Sequence, residues 1–447
     1  MTLTPGKLGF IIILTVFGLG IAYFLKIPLV IGFFAGLAAL IYFTKRSGFT
    51  MLYIRHSMWK GISHTKEVLW ILLLVGLLIP ALTACGTIPY LIDTGLAYMN
   101  PAYYLTIAFI FTAVVSMILG TSMGTLSSVG IPLMGAGALL QVSSPLLAAA
   151  IVSGVFVGDR TSPFSSANQL VAASTGTTVR KQFRYLAPTT VMALIASLLF
   201  FSWQDRSGSW HLTKKLLEHQ TYALFFQYSF WLWAPIGILL VAMLLRLKTK
   251  YCFLLSIASS LLIGSILQDI SFRAWMDFLW NGFSMVGLST LHSKGLFSML
   301  DLIALIMMTG AFNGILEETK FIQPYMLRLF GKSPLMGVAT LRTVLFGLAL
   351  ALLSCTQTLP IMMSGRNILP VWSTRFRNEH LARVVADAPL VLAALVPWNM
   401  IAILCGTIVG VPVEQYMRYA IFLWILPLLT LSVSFSLDYL LKKEVKA

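Results

Sequence analysis

Charge is what this sequence lacks: 10% of its 447 residues are charged and only 15 are acidic, whereas soluble domains carry about 25% charged residues. With 58% hydrophobic residues and a mean hydropathy of +0.88, water cannot be the solvent for most of its surface. Cysteine is scarce too. Cys85, Cys252, Cys355 and Cys405 sit in or beside apolar runs without CxxC or metal-ligand spacing, which argues against a disulfide scaffold and for buried thiols. The six histidines are scattered, with no HExxH and no pair at i, i+4, so no metal centre is expected. The first apolar run follows Lys7 without a small-residue cleavage site and is too long for a signal-peptide core, so it reads as a first span.

What is abundant is the long apolar run, from "LGFIIILTVFGLGIAYFL" at Leu8 to "AIFLWILPLLTLSVSF" at Ala420. About ten to thirteen segments approach the ~20 residues a helix needs to cross a bilayer core. The fold class is therefore an all-α polytopic membrane protein. The net charge of +16 comes largely from loops at 44–66, 179–184, 246–250 and 373–383 and from the C-terminal "LKKEVKA". No basic patch interleaved with aromatics lies on a polar segment, which excludes nucleic acid as a partner. The positive-inside rule puts these loops and both termini in the cytoplasm, in a multi-pass protein of the cell (inner or plasma) membrane. The loop Gln204–Gln220, where Lys214 and Lys215 accompany Asp205 and Glu218, is expected outside.

The two halves of the chain are weakly alike. Gly76 in "VGLLIPALTACGTIPY" matches Gly310 in "TGAFNGILEETKFIQPY", and one insertion then pairs Pro89-Tyr90 with Pro324-Tyr325. At the same offset "GTSMGTL" from Gly120 falls on "SCTQTLP" from Ser354, and further on Asp159 aligns with Asp387. This predicts two inverted repeats with broken or re-entrant helices, because irregular backbone survives in a bilayer only where protein or a water-filled cavity satisfies it. The expected division is 1–66, a two-helix segment with a basic loop; 67–203, the first repeat; 204–295, a connecting loop and linking helices; and 296–447, the second repeat.

A carboxylate at membrane depth costs at least ~2.5–3.5 kcal/mol, so it normally faces a partner or a cavity. Asp159 stands out because it lies in the polar stretch "GDRTSPFSSANQ", where Ser162, Ser165, Ser166, Asn168 and Gln169 offer neutral donors and oxygen ligands for a dehydrated Na⁺. The plain alternative is a structural Asp159–Arg160 pair, and Asp387 has the same alternative with Arg383, one helical turn earlier. The Gly/Ser/Thr-rich stretch from Gly120 to Gly137, with Thr121, Ser122 and Thr125, lines a site or packs helices closely. Thr356 and Gln357 occupy the corresponding place in the second half. Trp398 and Asn399 follow Pro397 in "LVPWN".

These motifs resemble the NhaC-type sodium/proton antiporter family, within the ion-transporter superfamily of inverted-repeat secondary carriers. The resemblance rests on "GTIP" (Gly86–Pro89), "GTSMGT" (from Gly120), "SGVFVGDRTSPFS" (Ser153–Ser165), "SGR" (Ser364–Arg366), "LARVVADA" (Leu381–Ala388), "LVPWN" (Leu395–Asn399) and "GTIVGV" (Gly406–Val411). It implies exchange of Na⁺ for H⁺ at a midplane site, and exchange of organic acids in some relatives. It implies no cofactor beyond the transported ions, and no enzymatic activity. The chain departs from the family at three acidic positions: Ser166, Thr356 and Ala386 stand where the family has carboxylates. Fewer carboxylates favour an organic anion or amino acid, for which Arg160, Arg366 and Arg383 are candidate carboxylate binders. An intramembrane aspartyl protease is disfavoured because Phe156 breaks the GxGD pattern. A small ion or small organic solute and the lipid bilayer are the expected partners, and a homodimer is left open.

Overall fold

The computed structural model describes residues 5–25, 27–98, 101–207, 222–284, 293–319, 321, 335–354 and 356–444. The first half contains α1 (Pro5–Phe24), α2 (Leu29–Arg46), α3 (Met51–His64), α4 (Lys66–Ala84), α5 (Thr87–Tyr98) and α6 (Tyr104–Leu119). It continues with α7 (Ser122–Thr125), α8 (Ile131–Leu139), α9 (Ser144–Thr161), α10 (Ser166–Ser174) and α11 (Val179–Ser207). Linking helices α12 (Ala234–Leu244), α13 (Thr249–Leu267) and α14 (Phe272–Asn281) follow. The second half holds α15 (Leu300–Thr319), α16 (Met336–Ser354), α17 (Thr358–Trp372), α18 (Asn378–Asp387), α19 (Pro389–Leu392), α20 (Met400–Val409), α21 (Val413–Tyr416) and α22 (Ile421–Glu444).

No strand occurs among the described residues, as expected where hydrocarbon forces each segment to satisfy its own backbone. Among the described residues, eight helices, α1, α2, α4, α11, α13, α15, α16 and α22, are long and apolar enough to cross a membrane. The segment 378–395, bent by 58° against α20, raises this to nine. Shorter apolar helices accompany them, among them α6 with 16 residues. The chain is an all-α, multi-pass membrane protein. Lys214, Lys215, Glu218, Pro324, Tyr325 and Cys355 lie outside the described residues, while Cys85, Cys252 and Cys405 are buried free thiols.

Two breaks in membrane helices share one local chemistry. Ser162-Pro163-Phe164-Ser165 separates α9 from α10, and Val396-Pro397-Trp398-Asn399 precedes α20. Proline disfavours α geometry at the residue before it, and Ser162 (φ −63°, ψ 133°) and Val396 (φ −86°, ψ 115°) are extended. The last residue of each break is the next helix's N-cap. Ser165 Oγ accepts from Asn168 N at 3.2 Å, and Asn399 Oδ1 accepts from Ile401 N at 3.2 Å. Each break is also tied to the end of a neighbouring helix. Ser162 Oγ donates to Met117 O at 2.8 Å, while Asn399 Nδ2 donates to Ala351 O at 3.1 Å and Trp398 Nε1 to Leu352 O at 2.8 Å.

The prolines are 234 positions apart (397 − 163), as are the carbonyls of Met117 and Ala351 (351 − 117). A second matched feature sits at the far ends of these helices. Asp205 near the end of α11 accepts from Leu105 N and Thr106 N, each at 3.0 Å, at the start of α6. Asp438 of α22 accepts from Met336 N at 2.8 Å and Gly337 N at 2.7 Å, at the start of α16. A carboxylate on the open amides of a helix N-terminus is favourable on both hydrogen-bonding and dipole grounds.

This register corrects one expectation. Counted from the breaks, the counterpart of Asp159 is Ala393 (393 − 159 = 234), not Asp387. Asp159 lies four residues before Pro163 (163 − 159), whereas Asp387 lies ten before Pro397 (397 − 387). Aligning two rare aspartates overrode the prolines, which are what set the backbone.

Candidate ion and solute site

Asp159 sits in the last turn of α9, 4% exposed. Its Oδ1 accepts from Ser165 Oγ at 3.2 Å, and its Oδ2 lies 3.4 Å from Gln357 Nε2, a long hydrogen bond. Gln357 also donates to Leu390 O at 3.1 Å. Two breaks, α9–α10 and α16–α17, therefore meet at one carboxylate, and Gln357 ties them to the bent segment before α20. Gly120 allows the close approach on the opposite side. At φ +68° it takes a left-handed conformation, and a Cβ there would meet Phe164 Cβ at 2.6 Å and Ser165 N at 2.9 Å, so only glycine fits.

Neither of the alternative neighbour pairs, Asp159–Arg160 or Asp387–Arg383, forms an ion pair among the described residues. Arg160 turns away from its neighbour Asp159 and pairs with Asp387 of α18. Arg160 Nε donates to Asp387 Oδ1 at 2.7 Å, Nη2 makes a second bond to the same oxygen, and Thr189 accepts from Nη2 at 2.8 Å. Both members of the pair are fully buried. Arg383 is not engaged by Asp387 through an ion pair. It donates to Thr430 Oγ1 at 3.2 Å and Ser434 Oγ at 2.7 Å on α22. Steric direction explains why Arg160 leaves its neighbour: successive residues on a helix face about 100° apart, so Asp159 and Arg160 cannot both point at the α10 break.

The remaining candidates divide. Ser162, Asn168 and Asn399 are buried, but their side chains hold the breaks together. Asn168 Nδ2 donates to Ser162 O at 3.0 Å and Asn399 Nδ2 to Thr356 O at 3.3 Å. Ser166 and Gln169 are exposed, and Gln169 Nε2 folds onto Pro163 O at 3.1 Å. They lie on the face of α10 opposite Ala167 and Asn168, so they are not brought to Asp159. Thr125 Oγ1 bonds Thr121 O at 2.9 Å; Ser122 is buried, and Thr121 Oγ1 is buried with no partner among the described residues.

Two open cavities, whose charged lining residues Lys294, Glu317 and Arg366 are exposed, flank the convergence. One of about 680 Å³ is lined by Thr83, Lys294, Pro397, Thr407 and Glu414, among others. The other, of about 590 Å³, is lined by Asn313, Glu317, Thr356, Arg366 and Met400, among others. Ser162, Ser165, Asn168, Gln357 and Asn399 line neither of these two. Each is engaged by nearby backbone or by Asp159.

Residues 154–436 match the sequence model of the Na⁺/H⁺ antiporter family. The chain belongs to that family. It is 26% identical to the Na⁺/H⁺ antiporter NhaC of Alkalihalophilus pseudofirmus over 388 residues, covering 85% of this chain and 84% of that one. It is 26% identical to the malate-2H⁺/Na⁺-lactate antiporter of Bacillus subtilis over 441 residues, covering 94% and 92%. It is 24% identical to the arginine/ornithine antiporter ArcD of Halobacterium salinarum over 409 residues, covering 86% and 82%. This chain is accordingly an antiporter-type membrane transporter of a small ion or solute.

Sequence reasoning overlooked several polar groups of this antiporter. Asn313 of α15 donates to Ser354 O at 2.8 Å while its Oδ1 is buried without a partner among the described residues. Gln182 completes the α10 break by donating to Asn168 Oδ1 at 2.5 Å. Asn313 could have been found from its place in "TGAFNG", an amide inside an otherwise apolar span.

Proposed function

We propose that this antiporter exchanges Na⁺ for H⁺ at Asp159, with Ser165 and Gln357 as its neutral partners. The observation that carries the reading is the contrast in compensation: Asp387 is neutralised by Arg160, whereas every described partner of Asp159 is uncharged. A desolvated carboxylate without a basic partner is favourable only with a proton or a cation bound. One group that must hold one or the other, never both, couples their movements. The family match and the names of its relatives support the same reading. The basic loops add orientation. Val179–Arg184 at the start of α11 and the lysines at the end of α22 both belong inside by the positive-inside rule. Corresponding helices then run oppositely, and both termini are cytoplasmic.

The test is Na⁺-elicited dissipation of a pH gradient in everted vesicles. The native chain is expected to respond with a steep pH dependence. Asp159→Asn is expected to reach the membrane folded, to lose the response and to show no residual pH dependence. An Asp159→Asn variant with native exchange sinks the proposal.

A second reading, exchange of an organic solute, is favoured by the Arg366-lined cavity next to Thr356. Uptake of labelled organic acids and amino acids, run beside the Na⁺ assay, separates the two.

A further inference from the structure

The 590 Å³ cavity between α3, α15 and α17 has a lining that the Asp159 chemistry does not use. Its volume falls in the ordinary range for small-molecule sites, about 300–1,000 Å³. α17 presents one continuous face to it: Thr358 and Leu359, then Met362 and Met363, then Arg366 and Asn367, the spacing of successive helical turns. Arg366 makes no hydrogen bond or ion pair to any described residue. Glu317 of α15 lies on the same cavity, and its contact with His64 is 4.0 Å, beyond hydrogen-bond reach. Asn313, 8% exposed, has its Nδ2 bound to Ser354 O and leaves its buried Oδ1 without a described partner. Val68, Leu316 and Met400 extend the apolar wall.

We infer that this cavity binds an α-amino acid with an apolar side chain, as its zwitterion. This inference rests on the organic-solute reading above. The guanidinium of Arg366 takes the carboxylate, for which its fork of donors is suited. The ammonium group is received by Glu317 and the open carbonyl oxygen of Asn313. The methionines accept the side chain, since their unbranched thioethers adapt to irregular apolar shapes. The same inventory rejects other solutes. A dicarboxylate finds one guanidinium and meets Glu317 as a like charge, and a dibasic amino acid lacks a second carboxylate for its side-chain cation. The cavity reaches Thr356, which is bonded to the α20 N-cap and adjoins Gln357, the amide on Asp159. Solute binding and the Asp159 carboxylate thus share one backbone break.

The test is equilibrium binding of labelled methionine to the purified full-length chain in detergent, with Na⁺ present. Methionine is expected to bind saturably and to be displaced by leucine. Arginine, malate and methionine methyl ester are expected not to displace it at the same concentration. Arg366→Gln and Glu317→Gln are each expected to weaken binding by about tenfold or more, the effect of removing one charge-assisted contact. The ester comparison uses the native chain, so a variant that fails to fold does not spoil the test. No methionine binding at millimolar concentration overturns the inference, as does equal displacement by the ester, arginine or malate. On the same preparation in liposomes, a Na⁺-elicited pH response without amino-acid binding overturns the cavity inference alone. Methionine binding without that response overturns the cation-exchange reading alone.

Discussion

Asp159 and Asp387 are two buried aspartates a few residues from helix breaks, and the protein treats them oppositely. Asp387 is paired with Arg160 from the other half of the chain, whose guanidinium donates hydrogen bonds to Oδ1 and cancels its charge. Asp159 has a hydroxyl and a long amide contact. A compensated buried pair resists separation, because removing one partner leaves the other charge stranded. A carboxylate with neutral partners gains most from a mobile cation. Sequence proximity does not tell these roles apart. The side chain directly following Asp159 is the cation that serves Asp387.

The sharpest way to break this comparison is to strand one charge. Arg160→Met is expected to destabilise the fold by about 3–5 kcal/mol, the usual cost of an uncompensated buried charge, read as loss of folded protein or a lowered melting temperature in detergent. The double variant Arg160→Met/Asp387→Leu is expected to recover most of that loss. If it recovers nothing, the pair is more than a structural tie. At Asp159 the effects are predicted to reverse: Asp159→Asn keeps its melting temperature and loses exchange, as above.

A smaller effect sharpens the role of the neutral partners. Gln357→Ala removes the amide on Oδ2, and the Na⁺ concentration giving half-maximal response is expected to rise about three- to tenfold, the worth of one net hydrogen bond. An unchanged response would remove Gln357 from the site. The smallest effect tests the face of α10. Ser166→Ala and Gln169→Ala are expected to change neither exchange nor stability by more than about 0.5 kcal/mol, as for exposed positions without special contacts. A loss of exchange in either would bring that face back into the transport path.

Ser162-Pro163-Phe164-Ser165 and Val396-Pro397-Trp398-Asn399 were legible as breaks because proline geometry and N-capping act within four residues. The burial of Asp159 was legible from its setting among apolar runs. The direction of Ser166 and Gln169 was not, since a helix's orientation about its own axis follows from what it packs against. Nor was the role of Asn168 and Asn399, which had the composition of ligands and tie the backbone together instead.

The sequence by itself therefore determined the solvent, the all-α class, the positions of the breaks and the shortlist of carboxylates, all set by composition or by interactions between near neighbours. The tertiary structure alone decided which arginine met which aspartate, that Gln357 reached Asp159 across 198 positions, and that Arg366, Glu317 and Asn313 shared one cavity. Coulombic and hydrogen-bonding partners are chosen by distance in space, and in a chain folded back on itself through breaks that distance is fixed only when the helices pack.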